Sequence, residues 1–213
     1  DNLALRGVVQ AMGQEGRGQH IITCAIEHHA VLHTCEQLRE EGCAVTVLPV
    51  DGDGLVRPAD LEQAMRPDTV LVSIMIANNE VGTSAPLPAL SAIAHARGAC
   101  FHTDAVQAGC YLPLDVEALG VDLLSLSAHK FHGPKGVGVL YVRRGTPLLP
   151  QILGGGQERG RRSSTENVAG IVGLAAALRL AQEGREGYNA HCAPLRDRLI
   201  EGLLASVPGS RLN

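Results

Sequence analysis

The sequence predicts an α/β fold with three layers (αβα), in which helices cover both faces of a mostly parallel central sheet. Six short apolar runs alternate with helical patterns along the chain, and the runs are largely continuous in their apolar character. Strands of this kind are buried on both faces, as in sheets built from strand–helix–strand units. Only a polar loop separates the last two runs, so one of these two strands is a candidate for antiparallel pairing.

Strand and helix patterns follow one another in a regular order. The strand patterns are HIITCAI, CAVTVLPV, TVLVSIMIA, ACFHTD, VDLLSLS and VGVLYVRR, at residues 20–26, 43–50, 69–77, 99–104, 121–127 and 137–144. The helix patterns lie at residues 1–12, 29–41, 58–65, 87–97, 167–182 and 188–207. The second helix illustrates the spacing, because Val31, Cys35 and Leu38 fall on one face and Gly42 ends it. Because no N-cap precedes the first helix pattern, we expect that the sequence is part of a longer one.

Composition argues against several classes of function. A chain of 213 residues with 45% hydrophobic residues can bury a sizeable core. A net charge of −4 and 2% aromatic residues argue against a nucleic-acid partner, since neither a basic stripe nor a set of stacking rings is present. No apolar run has the length of a membrane span, and residues 1–20 lack the features of a signal peptide, so a cytoplasmic location without a membrane partner is expected. The six cysteines are widely spaced without a CxxC pair, which favours reduced thiols in the core.

Polar side chains follow four of the predicted strands at the point where each strand ends. Ligands of parallel α/β sheets bind at these carboxyl ends, so the side chains are expected to converge on one crevice. They are Glu27, His28 and His29 after the first strand, Asn78, Asn79 and Glu80 after the third, Asp104 and Gln107 after the fourth, and Ser127, His129 and Lys130 after the fifth.

Lys130 and Asp104 suggest the chemistry of this crevice. A lysine in a polar turn just beyond a buried strand can have a lowered pKa and form an imine with a carbonyl compound. A buried aspartate paired with such a lysine suits pyridoxal 5′-phosphate (PLP), because the lysine holds the aldehyde carbon and the aspartate keeps the ring nitrogen protonated. The two residues therefore predict a PLP site.

If the ligand is PLP, the neighbouring polar residues have matching roles. His28 is a flat group that can cover the ring and transfer protons, in a chain with no tryptophan and two phenylalanines. Asn79 and Gln107 can donate hydrogen bonds to the phenolic oxygen of the ring. Ser127 and His129 are suitable donors for the phosphate.

Structural explanations compete with these roles at individual positions. His28 and His29 could lie solvated at a helix start, and Asn78 and Asn79 could form a turn. His29 and His33 have a spacing that can bind zinc, but no carboxylate or cysteine lies at a matching offset, so no metal site is expected.

Asp104 and Lys130 have competing interpretations too. Asp104 could cap a following helix. Lys135, between Pro134 and Gly136, competes with Lys130 for the imine, and the residues alone do not separate the two. The arginines of the segment GGGQERGRRSSTEN could be a solvated loop or could bind an anionic ligand.

Five segments resemble a known family in their order and separation. They are EHHAVLHTCEQL, NNEVGT, HTDAVQA, SAHKFHGPKGVGVLYV and GGGQERGRRSSTEN. Together they resemble the cysteine desulfurase and selenocysteine lyase group of the class V aminotransferases, which have the fold type I PLP architecture. The resemblance covers nearly the whole chain. It implies the large domain of a PLP-dependent transferase, with Lys130 as the imine-forming lysine.

The resemblance also implies a role for each matching position. His28 stacks on the ring and handles protons, Asp104 pairs with the ring nitrogen, and Asn79 and Gln107 contact PLP. Ser127 and His129 hold the phosphate. Because such enzymes are homodimers with shared sites, Thr165 is implied to reach the phosphate of the cofactor in the partner subunit.

The sequence also departs from the family pattern. The family's Gly-Ala-Thr-Glu phosphate loop would precede Asp1, and Ser164 stands where the motif usually has glycine. None of the cysteines matches the sulfur-accepting cysteine of the C-terminal small domain, whose substrate-binding arginine is absent as well. We therefore expect residues 1–184 to be an N-terminally truncated PLP-binding large domain, and residues 185–213 to be a helix leading to a small domain that this sequence lacks.

The implied activity is that of a cysteine desulfurase, which converts L-cysteine to L-alanine and passes the sulfur to an acceptor thiol. Such an enzyme serves iron–sulfur cluster or thio-modification pathways, as a homodimer that meets a sulfur-acceptor or scaffold protein. Two alternatives stay open. One is a selenocysteine lyase or another class V aminotransferase, and the other is a non-catalytic module for PLP binding or dimerisation.

Overall fold

A six-stranded sheet forms the centre of the protein, for which a computed structural model describes residues 1–212. The strand order is β2-β1-β3-β4-β5-β6. All neighbouring strands are parallel except β5 and β6, which are antiparallel, as the polar loop between them suggested. The strands are β1 (His20–Cys24), β2 (Ala44–Leu48), β3 (Thr69–Ser73), β4 (Cys100–Asp104), β5 (Leu123–Ser127) and β6 (Gly138–Val142).

Helices cover both faces of the sheet, so the predicted αβα architecture is confirmed. They are α1 (Asn2–Gln14), α2 (His29–Glu40), α3 (Pro58–Ala64), α4 (Leu87–Ala96), α5 (Val116–Leu119) and α6 (Val168–Ser206). One apolar cluster joins α1 and α2 to the first face, with Leu5, Val31 and Leu71 among its members. A second cluster joins α3, α4 and the start of α6 to the opposite face, around Phe101 and Leu174. Burial of these side chains is the main force that holds the layers together.

The sheet opens between β1 and β3 toward the carboxyl ends of the strands. The last register pair between these two strands within residues 1–212 is Ile22 with Val72. Beyond it, β1 continues to pair with β2 alone, and the β3 chain donates from Ile74 to the carbonyl of His102 on β4. The chain leaves β1 toward β2 on one side and reaches β3 on the other, so the strand order reverses here. Such a switch point is where parallel α/β sheets bind ligands.

Helix α6 differs from the sequence prediction, because it is one helix of 39 residues where two were expected. Gly184 and Gly187 lie between the two predicted helices, and each costs about 1 kcal/mol relative to alanine in a helix. Neither takes the left-handed conformation that ends a helix, and Arg179 pairs with Glu183 one turn ahead of them. Among residues 1–212, no helix combines the length and the apolar character needed to cross a bilayer.

Smaller differences concern element ends. Helix α5 has only four residues and carries too little periodicity to be predicted. Most strands are shorter than their apolar runs, and β3 ends at Ser73 although the run continues to residue 77. The remaining residues of this run lie beside the opening between β1 and β3, where the ladder to β1 has stopped.

Candidate active site

The sequence-predicted site residues lie at the carboxyl ends of four neighbouring strands, β1, β3, β4 and β5. Seven of the eight are in this region: His28, Asn79, Asp104, Gln107, Ser127, His129 and Lys130. Thr165 lies apart in sequence, in the exposed segment before α6. Within residues 1–212, no hydrogen bond joins the Thr165 side chain to the other seven.

Asp104 is the last residue of β4 and is 5% exposed. Its Oδ1 accepts a hydrogen bond of 2.9 Å from the Val106 amide, which forms a turn rather than a helix cap, so the capping alternative is wrong. Burial raises the pKa of the Asp104 carboxyl, and the Val106 amide and the charges of His28 and Lys130 lower it. Those two charges act on Asp104 because both groups lie near it.

Lys130 is exposed in a short 3₁₀ turn, Ala128–Phe131, directly after β5. This turn is anchored from below, since Ala128 and Phe131 are buried in the second apolar cluster. Helix α6 packs against the following loop at Gly173, where a Cβ would lie 2.7 Å from Cγ of Pro134. The anchored turn places the Lys130 backbone just beyond the end of β5, the neighbour of the strand that ends at Asp104, and leaves the amine open to solvent.

Lys135 has no comparable setting. It is exposed in the turn before β6, and its charge is not among those that shift the pKa of Asp104. The geometry therefore favours Lys130 over Lys135 as the lysine that meets a ring whose nitrogen faces Asp104.

Ser127 and His129 are brought together at the end of β5, with Ser127 Oγ 2.8 Å from His129 Nδ1. Ser127 also lines a cleft of about 720 Å³ to which the Arg-rich loop contributes Arg159, Arg161 and Arg162. Hydroxyl, imidazole and guanidinium groups at one opening are suitable for an anion such as a phosphate. The loop that the sequence left undecided thus borders the predicted phosphate end of the site.

His28 lies on the other side of the site, exposed at the start of α2. Its Nδ1 accepts a hydrogen bond of 3.1 Å from the Ala30 amide, so the residue is indeed an N-cap. This bond requires an unprotonated Nδ1 and leaves Nε2 as the nitrogen that can carry a proton. The helix-start explanation and the proton-handling role are therefore compatible.

Of the two neighbouring asparagines, Asn78 forms the turn and Asn79 is available for a ligand. Asn78 builds the turn, because its Oδ1 accepts from the amides of Glu80 and Val81 at 2.7 and 2.9 Å. Asn79 is exposed next to it and is left available for a ligand, whereas Gln107 is half-buried after β4.

Two buried groups near the site had no role in the sequence interpretation. His102 on β4 is fully buried and bonds Ser73 at 2.8 Å and Ser125 at 2.9 Å, which links β3, β4 and β5. Glu27 was noted only as a polar residue after β1, yet it is 5% exposed and accepts a hydrogen bond from the Met75 amide. A polar residue inside or just after an apolar run was the signal that could have marked both.

The residues present fit PLP. Asp104 Oδ2 accepts no hydrogen bond within residues 1–212, so it can accept one from a protonated ring nitrogen. An exposed amine, Lys130, lies close enough to act on the charge of this carboxyl. Donors for a phosphate lie at the Ser127 end. For a metal the fit is poor, because His29 and His33 stack at 4.9 Å but the part of the chain from residue 1 to residue 212 contains no group of three or more ligating side chains.

Known proteins similar to this chain agree with this architecture. A "Cysteine desulfurase IscS" of Methanosarcina thermophila is 53% identical over 213 residues, which are 100% of this chain and 52% of that protein. A "Cysteine desulfurase IscS" of Clostridium botulinum is 49% identical, again over 100% of this chain and 53% of its own length. The chain thus spans about half the length of these curated relatives.

Solved structures show the same likeness in three dimensions. A "NifS-like protein" superposes with a TM-score of 0.91 at 47% identity, over 96% of this chain and 56% of that one. DndA from Streptomyces lividans superposes with a TM-score of 0.88 at 37% identity, over 97% and 59%. "SspA in complex with cysteine" has a TM-score of 0.79 at 43% identity, over 84% and 51%. The family "Aminotransferase class-V" matches residues 2–213, and with this match over nearly its whole length the chain belongs to the class-V aminotransferases.

Proposed function

We propose that this chain carries the cofactor-binding part of a PLP-dependent cysteine desulfurase. Class-V aminotransferases are PLP-dependent, and the similar proteins include several named cysteine desulfurase. The observation that carries the proposal is that Asp104, buried at the end of β4, and Lys130, exposed just after the adjacent β5, lie at the same edge of the sheet. The proposed reaction converts L-cysteine to L-alanine and transfers the sulfur to an acceptor thiol, which becomes a persulfide.

Each residue has a defined task in this proposal. When bound, PLP supplies an electron sink that makes the Cα proton of the amino acid acidic. Lys130 attaches the cofactor and moves the proton at its Nζ, while Asp104 holds the ring nitrogen protonated. His28 covers the ring and exchanges a proton at Nε2. Ser127 and His129 hold the phosphate.

Asn79 and Gln107 complete the proposed cofactor contacts as donors to the phenolic oxygen. Thr165 would act in a homodimer, on the phosphate in the partner subunit, and its exposure before α6 agrees with that. We also assign residues 1–184 to the cofactor-binding domain and residues 185–213 to a helix that leads away from it, a division that falls inside α6.

A second candidate function is a PLP-binding or dimerisation module without turnover. It is favoured by the state of the cysteines, because burial raises the pKa of Cys35 and of Cys100 to about 12 and that of Cys24 further. A thiol with such a pKa is not a nucleophile at neutral pH. Sulfur transfer would therefore need a thiol other than these three, such as that of an acceptor or scaffold protein in iron–sulfur cluster assembly.

All six cysteines are free, and five of them are buried, which agrees with a reducing compartment such as the cytoplasm. Within the same cofactor chemistry, selenocysteine is the competing substrate, since it differs from cysteine only in the atom that leaves the β-carbon.

The test is covalent capture of PLP. The purified chain is mixed with PLP, its visible absorption band is recorded, and the adduct is reduced with borohydride and located by peptide mapping. We expect the adduct on Lys130, its loss in Lys130→Ala, and its retention in Lys135→Ala, the matched control. An adduct that maps to Lys135 would overturn the assignment. Sulfide and alanine release from cysteine and from selenocysteine then separates the desulfurase, the lyase and the inactive module.

A further inference from the structure

The opening between β1 and β3 leaves one backbone amide pointing into a gap. Along the β3 chain, Ile74 and Ile76 donate to the carbonyls of His102 and Asp104 on β4. Amides alternate in direction along a strand, so that of Met75 points the other way, toward β1. There the ladder has ended, and the facing chain of β1 is bonded to β2 through Ala25 and Leu48.

Two side chains cross this gap. Glu27 Oε1 accepts a hydrogen bond of 2.6 Å from the Met75 amide and one of 3.1 Å from the Cys24 thiol. In the opposite direction, Asn78 Nδ2 donates a hydrogen bond of 2.8 Å to the carbonyl of Ile26. Backbone pairing is thus replaced by two reciprocal side-chain bonds between the loop after β1 and the loop after β3.

The two loops joined in this way carry His28 and Asn79. Each is the immediate neighbour of a bridging residue, since His28 follows Glu27 and Asn79 follows Asn78. Neither His28 nor Asn79 is buried, so packing does little to fix their separation. The bridging bonds are the direct link between them.

Glu27 is suited to a structural bond rather than to an ion pair. Its Oε2 is buried and has no hydrogen-bond partner within residues 1–212. The titratable groups that shift the pKa of Glu27 are the Cys24 thiol and the Asp104 carboxyl, and Glu27 in turn raises the pKa of the Cys35 thiol; no lysine or arginine is among the groups that shift it. Burial raises the pKa of Glu27 to about 8. A protonated Glu27 can keep Oε1 as the acceptor and place no negative charge beside Asp104.

We propose that Glu27, together with Asn78, is a positioning residue that sets the separation of His28 and Asn79 across the opening between β1 and β3, and thereby the fit of this side of the site to the PLP ring. The inference rests on the proposed function for the identity of the ligand. The link between the two loops, called the clamp below, consists of the hydrogen bond from the Met75 amide to Glu27 and the bond from Asn78 to the carbonyl of Ile26.

The first experiment measures PLP binding by Glu27→Ala, Glu27→Gln and Leu38→Ala in the full chain. Alanine removes the acceptor and glutamine keeps one, so we expect PLP affinity to fall about tenfold in the first variant and to stay near the wild-type value in the second. Leu38 is buried on α2, in the apolar cluster that joins α1 and α2 to the first face of the sheet, and does not bridge the gap. Leu38→Ala is the control for a loss of stability like that of Glu27→Ala, and it should leave the PLP affinity and the pH titration of the visible PLP band unchanged.

Asn78→Asp tests the second bond separately. The aspartate keeps the acceptor for the Glu80 and Val81 amides, so the turn survives, but it has no N–H for the carbonyl of Ile26. We expect weaker PLP binding than in the wild type. Equal affinities for wild type, Glu27→Ala and Asn78→Asp would overturn the proposal, as would an equal loss in Leu38→Ala, which would indicate a general effect of stability.

Hydrogen exchange of the cofactor-free chain tests whether Glu27 bonds the Met75 amide, and it does so even if PLP does not bind. The Met75 amide should exchange at least about tenfold faster in Glu27→Ala than in the wild type, and Glu27→Gln should restore protection. An unchanged Met75 amide in Glu27→Ala would overturn the clamp. Failure of the wild type to form a Lys130 adduct would instead overturn the proposed function, so the two failures are distinguishable.

Discussion

His102 and Glu27 are both buried titratable residues, and they lie on opposite sides of β3. Both ring nitrogens of His102 have partners, Ser73 on β3 and Ser125 on β5, and the three strands are paired beside it. Glu27 has partners on one oxygen only, in a place where the ladder between β1 and β3 has ended. The difference shows two ways of holding a crevice at the carboxyl ends of strands.

On the paired side, a neutral chain of hydrogen bonds joins strands that the backbone already joins. This side holds Asp104 and Lys130, whose separation must suit a rigid ring. On the open side, side chains substitute for the backbone, and the residues they position are exposed. We therefore expect substitutions on the paired side to act mainly on stability or on charge, and those on the open side to act on the fit of the ligand.

Lys130→Ala gives the largest expected effect on the cofactor and almost none on stability, which tests the function of the paired side separately from its folding. The exposed lysine contributes little packing, so we expect complete loss of the borohydride-reducible adduct with a change in unfolding free energy of about 0.5 kcal/mol or less. Adduct yield and urea denaturation measure the two effects. An adduct that persists in Lys130→Ala would contradict the site.

Glu27→Gln sharpens the comparison through pH. The folded chain keeps the Glu27 proton up to a pKa of about 8, whereas the unfolded chain loses it near 4.5, so the wild type loses stability as pH rises between these values. The variant does not titrate and should gain stability relative to the wild type over this window by on the order of 5 kcal/mol, with no further change above it. Urea denaturation of both proteins from pH 4 to pH 9 provides the measurement. A constant difference across the range would show that Glu27 is ionised in the fold.

His102→Ala breaks the paired side. It removes a buried ring and two hydrogen bonds, so the unfolding free energy should fall by about 3 kcal/mol at neutral pH. Burial lowers the pKa of His102 well below its ordinary value of 6.5. The unfolded chain therefore binds a proton first as the pH falls below 6.5, and the wild type loses stability in acid, whereas the effect of Glu27 appears as the pH rises. The difference in unfolding free energy between the wild type and His102→Ala should therefore become smaller at acidic pH.

His95→Ala is the control for this change. His95 is an exposed residue of α4 that pairs with Asp122 at 2.8 Å. Its replacement should cost about 0.5 kcal/mol. Equal losses from the two variants in urea denaturation would mean that the chain of bonds through His102 does not hold the paired side.

Asp104→Asn tests charge alone on the paired side. The amide oxygen can keep the bond from the Val106 amide, but the negative charge that we propose to face the ring nitrogen is lost. We expect PLP affinity to fall about tenfold to a hundredfold, the size of a charge-assisted hydrogen bond. An absorbance titration gives the affinity, with the exposed Asp53→Asn as control. Unchanged affinity would argue against a ring nitrogen at Asp104.

Much of the fold could be predicted from the sequence because every strand lies in an apolar run and glycines mark several of the helix ends. The continuity of α6 could not, since Gly184 and Gly187 are compatible with a break and with a helix, and packing decides between them. Element ends were least well predicted. The end of β3 at Ser73 is an example, because apolar residues beyond the last paired strand residue are still buried and so continue the apolar pattern.

The place of the candidate site in the fold was predictable, whereas the roles of its residues stay predictions. Asp104 and Ser127 end strands that the apolar pattern marks and Lys130 follows the second of these, so the parallel topology of β4 and β5 brings them to one edge of the sheet. The roles of Glu27 and His102 were not predictable, because a buried polar residue is recognised by its partners, and Met75, Ser73 and Ser125 are distant in sequence. Thr165 stays a prediction, since its proposed partner would be another subunit.

The unbroken α6 has a mechanical consequence. At 1.5 Å per residue its 39 residues extend about 58 Å. Its last anchors to the domain are Gln182, bonded to the carbonyls of Gly109 and Leu112, and Asn189, bonded to that of Tyr111. Beyond them, about 25 Å of helix project outward like a lever arm.

Pro194 lies just past this fulcrum and cannot donate to the carbonyl of Ala190, so the arm has a compliant point near its base. A rotation of about 5° there displaces the far end by about 2 Å, given the rise per residue. Because the near end packs on the turn that carries Lys130, one continuous helix connects the arm to that turn along a path outside the sheet.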